Sequence, residues 1–153
     1  AAGASETFGE DHIPETHLIP LVIEAARGLR PCIKIFGDDY PTPDGTCVRD
    51  YIHILDLAKA HMLALTRGSG GYNVGTGIGH SVREVIDTVA RVSRREVPVE
   101  IAERRPGDIP TLIAGADKVR QELGWEPDHL DLSSIVESAW NWREAHPDGY
   151  PKP

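Results

Sequence analysis

An α/β layered fold is predicted, because short apolar stretches of strand length alternate with segments of helical period along the whole chain. Start and stop signals flank the periodic segments: Ser81-Val82-Arg83-Glu84 has capping-box spacing, and Gly28, Gly68 and Gly124 stand where helices stop. No internal repeat or long low-complexity segment appears, and 153 residues suffice for one domain with a real core.

The elements follow in order. Pro14 to Gly28 reads as the first helix, with Leu18, Leu21, Val22 and Ala25 at helical spacing. Ile33-Lys34-Ile35-Phe36 alternates and ends at Gly37, as a short strand does. Gly37 to Thr46 (GDDYPTPDGT) has the composition of turns. It leads into a strand-length stretch from Cys47 to Ile54. Asp56 suits an N-cap, and Leu57, Ala60, His61, Ala64 and Leu65 make one helix face closed by Gly68. A glycine-rich turn delivers the chain to the capped helix after Ser81, whose apolar face is Val82, Val85, Ile86, Val89 and Val92. Val97 to Ile101 is a strand in which Pro98 demands an edge or the first position. After the short run Leu112-Ile113-Ala114, Asp117 caps a helix through Leu123, and Leu132 to Ala145 forms the last helix.

Composition excludes several functions. Sixteen Lys+Arg against 24 Asp+Glu give a net charge of -8, which disfavours nucleic acid or an anionic membrane as partner. Any anionic ligand must be held by a few local cations. Cys32 and Cys47 form no C-x-x-C pair, so packing residues in a reducing cytoplasm are expected. No run of eighteen apolar residues exists, so no membrane span is expected. The chain begins at Ala1 and its only methionine is Met62, as in a processed chain or a piece of a longer one.

The stretch Asn73 to His80 (NVGTGIGH) imitates a dinucleotide-binding turn, with Glu100 near the position of a ribose-binding acid. The imitation is defective, since His80 stands where the fingerprint needs a third small residue. A turn into a helix capped by Ser81 is a sufficient explanation. The pairs His12/His17 and His53/His61 miss the i, i+4 spacing that presents two imidazoles to one metal on a helix, so no metal site is expected. No nucleophile elbow or Cys-centred motif is present. Arg49 and Arg105 are the informative cations. Converging from distant segments they would suit a diphosphate, and ion pairs with the chain's carboxylates would explain them equally well.

A family resemblance separates these readings. The run Ile35 to His53 (IFGDDYPTPDGTCVRDYIH) resembles the matching segment of UDP-glucose 4-epimerases, also called UDP-galactose 4-epimerases, which are extended short-chain dehydrogenase/reductase proteins. The likeness continues through Tyr72-Asn73-Val74-Gly75, Ser81 to Val85, Arg104 to Asp108, Glu122 to Trp125, and Trp140 to Tyr150. It covers essentially all of residues 1–153 as the C-terminal substrate-binding part of such a protein, including residues that would return to the Rossmann sheet. The family's G-x-x-G-x-x-G turn and Y-x-x-x-K pair do not occur in this sequence. The NAD-binding Rossmann half is therefore expected to be absent from this chain, together with the family's dimer helices and all catalytic residues.

By resemblance, Arg49 and Arg105 match arginines that hold the pyrophosphate, and Asp108 matches a carboxylate that accepts from a ribose hydroxyl. Lys34 and Phe36 match the strand whose backbone reads uracil. Leu18, preceded by His17 where an asparagine is common, matches the helix start beside the diphosphate. Leu112 falls where members line the hexose pocket. The implied partners are UDP-glucose and UDP-galactose, and the implied cofactor is NAD, which accepts and returns the C4 hydride in the full-length enzyme. The isolated chain is expected to bind no NAD and to lack epimerase activity. The alternatives are part of another nucleotide-sugar dehydratase or decarboxylase, and a stand-alone UDP-sugar-binding module or non-catalytic fragment. The insertion Pro41 to Thr46 favours the epimerase group.

Overall fold

The computed structural model describes residues 1–151 and contains five helices and five short strands among them. In chain order these are α1 (Leu18–Ala26), β1 (Ile33–Phe36), β2 (Val48–Asp50), α2 (Ile54–Arg67), β3 (Gly79–Ser81), α3 (Val82–Ser93), β4 (Val99–Ala102), β5 (Thr111–Leu112), α4 (Asp117–Leu123) and α5 (Leu132–Ala145). The alternation is the expected α/β pattern. Its strands form two small sheets: β1 pairs parallel with β4, and β2 lies between antiparallel β3 and parallel β5.

Side-chain period decides what each strand faces. In β1, Ile33 and Ile35 are buried while Lys34 and Phe36 point outward, as a period of two requires. Pro98 immediately precedes β4 and its carbonyl accepts from Ile33 N at 2.8 Å, so the missing N–H costs the ladder nothing. Behind β1, helices α1, α3 and α5 pack Ile19, Val22, Ile23, Val85, Val89, Ile135 and Val136 into the main core. A second core joins α2 to α4 through Ile52, Ala60, Val119, Leu123 and Trp125. The Trp125 indole is fully buried there and donates to the Asp56 carbonyl at 2.9 Å.

Three helix starts differ from the sequence expectation, each for a local reason. The first helix begins at Leu18, four residues after Pro14, because Glu15 Oε1 accepts from the amides of Thr16 and His17 at 2.7 and 2.8 Å and holds that segment extended. In α2 the N-cap is His53, whose Nδ1 accepts from Leu55 N. Asp56 instead turns inward from the first turn and accepts from the amides of Asp128 and His129, both at 2.9 Å. Asp117 is the first residue of α4 and not its cap, which is Ala116. The capping box of α3 forms as expected: Ser81 Oγ accepts from Glu84 N, and Glu84 Oε2 accepts from Ser81 N.

A candidate nucleotide-diphosphate site

A cavity of about 400 Å³ opens where the outward face of β1 meets β2, the start of α1 and the turn after β4. Leu18, Lys34, Phe36, Arg49, Arg105 and Asp108 all line it, so six of the eight residues expected at a site converge from segments far apart in sequence. His17 faces a neighbouring cavity, while the preceding Thr16 lines this one. Leu112 is not among its walls: it pairs in register with Arg49 between β2 and β5 and is 56% exposed.

The charged groups are arranged around one carboxylate. Asp108 Oδ2 accepts from Arg105 Nε at 3.1 Å, and Asp108 Oδ1 lies 3.7 Å from Arg49 Nη2. Arg49 is oriented from behind, since its Nη1 donates to the carbonyls of Val48 and Ile109 at 2.8 and 2.7 Å. The Arg105 guanidinium lies over the Phe36 ring, 4.6 Å from its centroid. Lys34 is set apart, with Nζ 3.5 Å from Glu100 Oε1. A site with two arginines for one central carboxylate is a local cationic patch on an acidic chain, with the forked donors that phosphate oxygens accept.

Tyr51 was not among the expected site residues, yet it lines the same cavity. Burial pushes its phenol up to about 12, so it stays protonated and able to donate. The signal was present in Val48-Arg49-Asp50-Tyr51, where a period of two puts Tyr51 on the same side as Arg49.

The glycine stretch takes a different role. Asp50 accepts from Thr76 N, Thr76 Oγ1 and Gly77 N at 2.9, 2.7 and 2.9 Å, so a carboxylate of the protein already occupies the amides that a phosphate would need. At the following helix the Ser81–Glu84 box uses the N-terminal amides, and Ser81 Oγ also donates to Asp44. These residues do not fit a dinucleotide pyrophosphate, because two fixed anions stand where its charge would go. His12 and His17, which helical spacing separates, meet in the loop before α1 with ring centroids 5.2 Å apart.

Comparison with known proteins identifies the family to which this fold belongs. A family model described as GDP-mannose 4,6 dehydratase matches residues 4–138, and the chain belongs to that family. More particularly, it is homologous to UDP-glucose 4-epimerases. It is 51% identical over 157 residues to the UDP-glucose 4-epimerase of Halalkalibacterium halodurans, covering 98% of this chain and 47% of that one. A crystal structure of UDP-glucose 4-epimerase superposes with a TM-score of 0.92 at 50% identity, over 99% of this chain and 48% of the other. The Bifidobacterium longum UDP-glucose 4-epimerase, solved in complex with NAD+ and UDP, gives 0.88 at 42% identity over 97% and 46%. The chain spans about half the length of the relatives it matches, as a C-terminal half would. No helix among the described residues is long and apolar enough to cross a membrane.

Proposed function

We propose that this chain is the UDP-sugar-binding half of a UDP-glucose 4-epimerase that interconverts UDP-glucose and UDP-galactose. The observation that carries this reading is the pair of arginines on one cavity. Among the described residues, Arg105 uses only Nε on Asp108, which leaves both Nη groups for a ligand. Arg49 is braced through Nη1 and keeps Nη2 directed at the site. Together they grip the diphosphate, Phe36 and the backbone of β1 flank the base, and Asp108 accepts from a ribose hydroxyl. Leu18 stands at the helix start beside the diphosphate, whereas His17 faces the neighbouring cavity and Leu112 lies outside the walls of this one, so neither is assigned a contact with the ligand. Holding UDP at one end leaves the sugar free to turn, which is what reversing C4 requires. NAD belongs to the proposed whole enzyme, where it takes up and returns the C4 hydride. The role of this chain is binding and orientation.

Calorimetric titration with UDP tests the reading. Arg49→Ala is expected to weaken binding by about 1.5–3 kcal/mol, the value of a charge-assisted bond, and Arg105→Ala by about the low end of that range because solvent screens it. Equal affinity in the parent and both variants would overturn the assignment.

A further inference from the structure

The segment leading into α1 gathers four ionisable side chains away from the cavity just described. His12, Glu15 and His17 each present a potential ligand atom, and these atoms lie within 4.8 Å of one another. His17 Nδ1 faces two carboxylate oxygens at once, Glu10 Oε1 at 2.8 Å and Glu15 Oε1 at 2.9 Å. One ring N–H cannot serve two acceptors at full strength. A second observation is independent of this crowding. The Glu15 side chain is only 6% exposed, and its Oε2 is buried with no hydrogen-bond partner in the described structure. A buried carboxylate oxygen left unpaired carries its full desolvation cost, which a cation would offset.

We propose that His12, Glu15 and His17 bind one divalent transition-metal ion of the zinc class. Two imidazoles and a carboxylate are a zinc-type donor set, whereas calcium and magnesium prefer oxygen throughout. The carboxylate is already oriented, because the amides of Thr16 and His17 hold Oε1, and Oε2 is left without a partner. Metal–ligand bonds of about 2.0–2.2 Å call for ligand atoms roughly 3.4 Å apart, and rotation of the two exposed imidazoles supplies that closure. Glu10 adds a second negative charge beside the ion. Three protein ligands leave a fourth position open to water. Helical spacing in the sequence hides this cluster, because a loop and not a helix brings the two histidines together.

The experiment uses the 153-residue chain and zinc chloride alone, without nucleotide, so that its outcome is separable from the UDP-binding reading. Side-chain NMR resolves which of the seven histidines respond. One equivalent of Zn2+ is expected to shift the His12 and His17 ring signals and to leave those of His53, His61 and His146 in place. In competition with a chromophoric chelator, Glu15→Gln and the double variant His12→Ala/His17→Ala are expected to lose at least tenfold in affinity. Failure of the parent to bind a stoichiometric ion, or a response confined to other histidines, would overturn the site. So would unchanged affinity in both variants.

Discussion

The Arg105 guanidinium lies over Phe36, 4.6 Å from the ring centroid, while its Nε donates to Asp108 at 3.1 Å. One side chain from the turn after β4 therefore ties the end of β1 to the carboxylate of the cavity. Its neighbour repeats the device, with Arg104 over Tyr40 at 4.2 Å and bonded to Asp39. A double-mutant cycle of Phe36→Ala and Arg105→Ala, read by urea unfolding, is expected to give a coupling of about 0.5–1 kcal/mol. Strict additivity would show that the stacked pair contributes nothing to the fold.

Asp50 determines the course of the glycine stretch. Its carboxylate gathers Thr76 and Gly77, and it accepts from Ala114 N at 3.3 Å. Asp50→Ala would strand these amides and is expected to cost about 3 kcal/mol by chemical denaturation. Gly75→Ala should also destabilise, by about 2 kcal/mol, because a Cβ there would stand 2.5 Å from the Ala114 methyl and 2.6 Å from Asp50 Oδ2. A neutral Gly75→Ala would mean that the loop can move away from Asp50.

Asp56 should govern stability in acid. Burial alone would raise its carboxyl, but hydrogen bonds from the amides of Asp128 and His129 and from the His129 ring outweigh burial and hold it below the ordinary carboxylate range. A depressed folded value contributes stability that is present above the unfolded value of about 3.9 and lost as pH falls through the folded one. Asp56→Asn is expected to be less stable at pH 7 and to lose less further stability between neutral pH and acid. Parallel stability profiles for parent and variant would exclude this role.

His53 acts at milder pH. Its buried ring stacks on His129 at 4.0 Å, Nδ1 caps α2 and Nε2 lies 3.0 Å from Ser138 Oγ. Burial, reinforced by His129, lowers its affinity for a proton. Stability from His53 is therefore fully present above the unfolded value of about 6.5 and declines as pH falls toward the folded one. His53→Asn preserves a good N-cap residue. Thermal melting of that variant is expected to depend less on pH between 7 and 5 than melting of the parent.

Much of this protein was determined by sequence-local physics. The alternation of β1, the capping box of α3 and the position of Pro98 before β4 each follow from a few adjacent residues, so they were legible directly. The family likeness pointed to eight residues, six of which line the cavity, because its motifs retain their order along the chain. Tertiary structure decided what local pattern leaves open. Asp56 reads as a cap and is a buried anchor, because its partners lie some seventy residues away. NVGTGIGH reads as a turn that only imitates a phosphate loop, and folding decided which group takes its amides, namely Asp50 from another strand. Arg49 and Arg105 admitted a diphosphate clamp or scattered ion pairs, and only folding put both on one cavity with Asp108 between them. Spacing along a chain specifies neighbours within one helix or strand, whereas the distance between side chains on different elements is set by how their apolar faces pack.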